Sequence, residues 1–247
     1  MYLETHITES CNLKCRGCSH FSGLAKPKHK DLEKFRQEFA RLAEILSLST
    51  IRLMGGEPLL NPRFMEYLRI ARKFYPYAKL VLVTNGILSD RLRPHVQELR
   101  ELRVDVTVSD YHIDSQDLSI LSKLPYTERH EKGRLYNISL DPTGSQDKDA
   151  AFSKCDLHQN HWNFFQDGRI YPCCIAGTIQ DFWDHFGLNW GIDQKSLGID
   201  IFTAGAAEIQ AFLNKPNELC CYCATEIRQH SYRPFERSKG DIREWTV

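Results

Sequence analysis

Cys11-Asn-Leu-Lys-Cys15-Arg-Gly-Cys18 sets three cysteines at spacing C-x3-C-x2-C, directly after a short strand-like opening, Tyr2-Leu-Glu-Thr-His-Ile7. Three thiolates on one tight loop can hold three irons of a cubane cluster and leave the fourth iron open to a substrate or cofactor. Four-cysteine ferredoxin and zinc motifs close their sites instead. The loop is therefore a sign of chemistry rather than of storage. Of the nine cysteines, three lie near the start and six after residue 154. Structural cysteines would not bunch in this way, so the thiols read as metal ligands before disulfides.

The 247 residues suffice for one barrel-type domain, or a core with a small appendage. An apolar content of 42% and a charged content of 26% are those of a soluble globular protein. A formal net charge of zero argues against a nonspecific grip on nucleic acid. No apolar stretch approaches the ~20 residues of a membrane helix, and the polar opening lacks a signal-peptide core. The expected location is the cytoplasm, where thiols stay reduced.

From the cysteine loop onward, strand and helix patterns alternate. Asp31 can cap a helix carrying Leu32, Phe35, Phe39, Leu42 and Leu46 at nearly helical period. Asn61-Pro62 opens a second, with Phe64, Tyr67, Leu68 and Ala71 on one face, and Leu88, Leu92, Val96 and Leu99 mark a third. Between them lie strands at Ile51–Met54, Leu80–Thr84 and Val104–Ser109. The continuous run Leu80-Val-Leu-Val83 suits a parallel strand covered on both sides. Repeated βα units imply an α/β fold with a parallel sheet, whose carboxyl edge is the usual seat of an active site. Asp141-Pro-Thr-Gly-Ser-Gln-Asp-Lys-Asp149 reads as a linker or loop. Around Gln166-Asp-Gly168, Trp162–Phe165 and Arg169–Tyr171 read as a hairpin.

The three-cysteine loop, Gly55-Gly56-Glu57-Pro58 after the second strand and Thr84-Asn85-Gly86 after the third together resemble the radical S-adenosylmethionine (SAM) superfamily. The resemblance implies a partial (β/α)6 TIM-like barrel, with Cys11, Cys15 and Cys18 holding a [4Fe–4S] cluster. It also implies that Glu57 meets the SAM ammonium over the backbone of Gly55 and Gly56, with Asn85 and Ser109 toward the ribose or methionine ends. Many family members place an adenine-contacting aromatic before the third cysteine. This chain has Gly17 there, and His20 or Phe21 is the replacement to look for.

The later cysteines extend the likeness. Cys155-x12-Gly168-x4-Cys173 followed by Cys220-x2-Cys223 resembles the SPASM/Twitch subgroup. The short Twitch form implies one auxiliary [4Fe–4S] cluster on Cys155, Cys173, Cys220 and Cys223, as in small Twitch dehydrogenases such as 2-deoxy-scyllo-inosamine dehydrogenase. Tetrahedral zinc on the same four thiolates is the other reading. Cys174 and Cys221 adjoin these ligands and could pack, exchange with them or donate a hydrogen atom. The expected division is 1–140 for the barrel core and 141–247 for the Twitch-type region and tail.

The implied cofactors are SAM and two clusters, and the implied partners are a small-molecule substrate and a reductant such as flavodoxin or ferredoxin. The expected activity is that of a radical SAM oxidoreductase acting on a small polyol, sugar or aminocyclitol, by oxidation or epimerisation. Peptide or protein modification is the alternative enzyme. A zinc- or cluster-stabilised interaction module is the non-enzymatic one. For an alcohol, Asp110 and His112 are candidates to help remove the hydroxyl proton, with Asp114 and His161 behind them. The Arg- and His-rich stretch from Arg228 to Arg243, with Tyr232 and Phe235, reads as a solvated tail or a cover that binds phosphate.

Overall fold

The computed structural model describes residues 1–116, 118–124, 127–131, 135–230 and 235–247. Within the Arg- and His-rich stretch, Tyr232 lies outside the described residues. Strands β1 (Tyr2–His6), β2 (Thr50–Met54), β3 (Lys79–Thr84), β4 (Val104–Asp110) and β5 (Thr127–Glu131) are joined in parallel in sequence order. Helices α1 (Leu32–Ile45), α2 (Phe64–Phe74) and α3 (Val96–Glu101) fill the crossovers. Beyond them come β6 (Leu135–Leu140), α4 (Lys148–Ser153), α5 (Asp156–Gln159), β7 (Asn163–Gln166) and β8 (Arg169–Tyr171). The order ends with α6 (Cys174–Phe186), β9 (Ile199–Asp200), α7 (Ala206–Leu213) and β10 (Cys223–His230).

The main sheet runs β5-β4-β3-β2-β1-β7-β8-β9. Six of its strands are parallel, but the sixth is β7, which lies beside β1 and not beyond β5. Among the described residues the sheet does not close, which matches a partial barrel. It draws strands from both sides of residue 140. A second, two-stranded sheet pairs β6 with β10. Among the described residues no helix is long and apolar enough to cross a membrane.

Local chemistry explains most of these elements. Asp31 accepts from the Lys34 amide at 2.7 Å and opens α1, whose Leu32, Phe35, Phe39 and Leu42 are buried. Glu38, on the same buried face, pairs with Lys30 at 3.0 Å. Asn61 both starts and places α2, since its Oδ1 accepts from the Arg63 amide and its Nδ2 donates to the Ile7 carbonyl at 2.8 Å. The third expected helix is a 3-10 stretch, Ser89–His95, before the short α3. Pro94 lies inside that stretch and has no amide to donate. The hairpin forms as Asn163–Gln166 and Arg169–Tyr171, with Asp167 and Gly168 both at positive φ in the turn.

Two buried clusters result. One lies between the sheet and α1 and α2; the other gathers Phe21, Phe164, Phe182, Trp183 and Trp245 around α6. Helix α6 approaches β7 closely at Gly177. A Cβ there would stand 2.2 Å from Cδ1 of Phe164, which is fully buried. Alanine would gain up to ~1 kcal/mol of helix propensity, but overpacking costs about 1–3 kcal/mol. The buried ring has no room to yield, so the clash wins. Gly177→Ala is expected to lower the denaturant midpoint without changing the slope.

Candidate active site

The loop between β1 and α1 has no helix or strand of its own, so its cysteines are placed by neighbours. The Gly56 amide donates to the Thr8 carbonyl at 3.0 Å, and the Glu57 amide to the Ser10 carbonyl at 2.8 Å. These bonds hold the entry to the loop. Gly55 and Gly56, expected to let SAM come close, also let the chain's own loop come close: added Cβ atoms would stand 2.1 Å from the Thr8 oxygen and 2.3 Å from the Ser10 oxygen. His6, fully buried at the end of β1, braces both ends of the loop. Its Nδ1 is 2.8 Å from Glu9 Oε2 and its Nε2 2.9 Å from His20 Nδ1.

A cavity of about 110 Å³ results, lined by Cys11, Cys15 and Cys18 with Gly55, Gly56, Asn85, Ser109, Tyr111 and His20. It lies at the carboxyl ends of β1 to β4. Burial, reinforced by the neighbouring Cys18 and Glu57, pushes the Cys11 thiol up to about 12. Cys15 is raised too, by burial and then by Cys18 and Cys11. Three thiolates crowded in a dry cavity need a cationic centre to be stable, and a cluster held by three cysteines meets that need.

Glu57 does not line this cavity. Its Oε1 accepts from the Leu59 amide at 3.0 Å and from the Thr84 hydroxyl at 2.8 Å, and its Oε2 from the Asn85 amide at 2.7 Å. The carboxylate thus ties the end of β2 to the end of β3. Burial pushes its carboxyl up to about 7 from 4.5, against the pull of those three donors. A glutamate raised in the folded state contributes stability that is complete below the unfolded value and lost as pH rises through 7. Glu57→Gln would set an amide NH2 against the Asn85 amide, leaving a buried donor unpaired at a cost of about 1–3 kcal/mol. In urea unfolding, the variant is expected to be less stable at pH 5, with the gap narrowing toward pH 8.

Gly17, Phe21, Asp110 and His112 also lie outside the cavity lining. Phe21 packs on Phe182 at 5.3 Å, so His20 is the lining ring of the two. Asp110 is buried and accepts from the His112 amide at 2.8 Å, while the His112 side chain is largely exposed. Asp114 and His161 are exposed. A larger cavity of about 790 Å³, bordered by Glu9, Gln166 and Asp181, shares no lining residue with the cysteine cavity.

The second cysteine set also meets. Cys155, Cys173, Cys220 and Cys223 border one cavity of about 30 Å³. Cys173 is the N-cap of α6, where its sulfur accepts from the Ala176 amide at 3.4 Å, an end that favours thiolate charge. Cys174 and Cys221 border neither cysteine cavity. Cys174 is buried with its sulfur 3.9 Å from the Ser19 carbonyl, and Cys221 donates to the Glu218 carbonyl at 2.8 Å. The expected linker at 141–149 is a built turn. The Asp141 carboxylate accepts from Thr143, Ser145 and Gln146, which hold it below the usual range. The Gln146 amide bonds the Cys221 carbonyl at 3.0 Å.

A model described as the radical SAM superfamily matches residues 5–132, just over half of the chain. The chain belongs to that superfamily. Within the radical SAM superfamily, it is similar to GTP 3′,8-cyclase of Geobacter sulfurreducens, at 28% identity over 116 residues, 46% of this chain and 36% of that one. It is 32% identical to GTP 3′,8-cyclase of Moorella thermoacetica over 109 residues, 43% of this chain and 34% of that one. The chain thus spans about a third of the length of these curated relatives. Among solved structures it is similar to BtrN in complex with AdoMet and 2-DOIA, with TM-score 0.55 and 18% identity over 94% of this chain and 98% of that one. At that identity the likeness speaks to fold alone.

Several residues of this radical SAM site escaped the sequence reading. Tyr111 lines the cysteine cavity together with Cys15. Its place just past a strand end was the available signal. Gln116 donates to the Asn85 and Ser109 carbonyls at 2.6 and 2.9 Å and accepts from the Tyr111 amide, joining the ends of β3 and β4. No motif marks it. Asn12 accepts from Asn85 Nδ2 at 2.7 Å, which ties the loop to β3. His6 could have been suspected, since Glu4 and His6 put polar groups on one face of an otherwise buried strand.

Proposed function

We propose that this enzyme generates a 5′-deoxyadenosyl radical and uses it to take a hydrogen atom from a small polyol, sugar or aminocyclitol, with net oxidation or epimerisation. The observation that carries this reading is the second cavity, where four cysteines from three segments meet while both extra thiols face elsewhere. When bound, a reduced cluster at the first loop supplies the electron that splits SAM, and one at the second set can take an electron from the substrate.

The remaining tasks fall to side chains and backbone. Cys11, Cys15 and Cys18 would hold the first cluster, and Cys155, Cys173, Cys220 and Cys223 the second. The backbone at Gly55 and Gly56, with Asn85, Ser109 and His20, would receive SAM. Residues 1–140, with the β7–β8 hairpin completing their sheet, would form the SAM-cleaving part, and the rest of 141–247 the auxiliary part. Oxidation of an alcohol removes a hydrogen atom, an electron and a proton, and the proton needs an acceptor. His112 is proposed for it, since its Nδ1 stands 3.6 Å from Asp110 Oδ1. Epimerisation instead returns a hydrogen atom, for which Cys221 is more accessible than the buried Cys174. The likeness to BtrN over nearly the whole of both chains supports this class. The cyclase likeness covers less than half of this chain.

The test is anaerobic reconstitution with iron and sulfide, then dithionite and SAM with a panel of polyols, sugars and aminocyclitols. 5′-Deoxyadenosine should rise with one class of the panel. The product should be lighter by two hydrogens for oxidation, or unchanged in mass for epimerisation. Turnover of GTP in place of the whole panel would overturn the substrate class. Zinc instead of iron at the second set would overturn its electron-accepting role.

A further inference from the structure

The segment Phe235–Val247 does not behave as a tail. The Arg16 amide donates to the Glu236 carbonyl at 2.9 Å, and the Ser238 amide to the Lys14 carbonyl at 2.6 Å. Cys15 and Arg237 form an antiparallel bridge. The backbone on both sides of the middle cysteine is therefore hydrogen-bonded to residues more than two hundred positions away. Arg16 Nη1 meets both Glu236 oxygens, at 3.1 and 3.0 Å. That pair is partly exposed, so it contributes register more than energy. The buried Trp245 donates its indole N–H to the Cys18 carbonyl at 3.0 Å. Phe235 stands edge-on to Tyr111 at 6.1 Å, and Tyr111 lines the cysteine cavity with Cys15.

The other end of the segment is anchored in the auxiliary half. The Leu140 amide donates to the Trp245 carbonyl at 2.7 Å, and the Val247 amide to the Leu140 carbonyl at 2.9 Å. The Trp245 ring packs on Phe182 and Phe186 of α6, the helix that Cys173 caps. Glycine turns fix the entry of the cysteine loop and His6 braces its ends. Its middle and its third cysteine have this segment.

We propose that Phe235–Val247 is a positioning element for the first cluster, with Trp245 as its anchor, and that it links the geometry of that loop to the auxiliary half of the chain. This rests on the assignment of Cys11, Cys15 and Cys18 as ligands. Hydrogen bonds and solvent exposure around a cluster tune its potential, and contacts to the ligand backbone fix the ligands in place.

The test uses the reconstituted full-length enzyme, a truncation lacking 235–247, Trp245→Phe and Cys15→Ala. Each is read by iron per chain, by EPR of the reduced protein with and without SAM, and by the midpoint potential. The truncation should lose about half of the iron and the SAM-sensitive signal while the auxiliary signal persists. Trp245→Phe keeps an aromatic ring and should keep its iron. Its SAM-sensitive cluster should shift in potential and respond less to SAM. An unchanged potential and SAM response in Trp245→Phe would overturn the proposal, including where the truncation fails to fold. If Cys15→Ala keeps the SAM-sensitive signal, the ligand assignment fails instead.

Discussion

Cys15→Ala is expected to abolish SAM cleavage, reducing 5′-deoxyadenosine to the level seen without enzyme, while the auxiliary iron stays. The reason is geometric. Cys15 is the middle of the three proposed ligands, all supplied by one loop, and among the described residues no thiol from outside that loop borders the cavity. Cys174 is nearest in character, but it is buried among Ile175, Phe182 and Trp183 and bonded toward Ser19. Cys155→Ala is the matching control. It should spare SAM cleavage and remove the second set's iron. Iron per chain with 5′-deoxyadenosine yield checks both, and a Cys15→Ala protein that still cleaves SAM would remove the loop from the mechanism.

Gly56→Ala is expected to have nearly as large an effect without touching a sulfur. The added Cβ would meet the Ser10 oxygen at 2.3 Å, the Ser10 carbonyl carbon at 2.6 Å and Cys11 Cβ at 2.8 Å. These are backbone or first side-chain atoms, so no rotamer change relieves the contact. The cost should exceed the ~1–3 kcal/mol typical of overpacking by movable side chains. Either the Glu57–Ser10 hydrogen bond breaks or Cys11 moves, and iron at the first site is lost in both cases. Gly23→Ala tests the same loop more gently, since its Cβ would stand 3.4 Å from Lys14 Cα. Iron content and unfolding midpoints should separate the two variants. Equal iron in both would mean that the turn after β2 does not position the loop.

The sequence made the chemistry more legible than the architecture. Short spacings carried the first loop, the Gly55-Gly56 turn and the hairpin at Gly168, because each is decided within a few residues. Asp31 as a cap and the buried stripe of α1 were visible for the same reason. Glu57 was read as the partner of the SAM ammonium; its orientation away from the cavity lining depends on donors from Leu59, Thr84 and Asn85, which the motif does not show. Gln116 and Trp245 were missed because their partners come from distant strands and loops. Local periodicity is also blind to the pairing of β1 with β7, which joins Leu3 to Asn163.

That pairing bears on how the protein can be cut. In the sheet, β1 is an interior strand with β2 on one side and β7 on the other. A fragment ending at residue 140 would strip one side of Leu3, Glu4 and Thr5, leaving their outward amides and carbonyls bare. It would also uncover the apolar surface on which Phe165 and Ile170 lie. Such an edge recruits strands from other molecules, so the fragment would self-associate before it could serve as a minimal SAM-cleaving unit. A usable minimal unit has to carry the hairpin through Tyr171 as well.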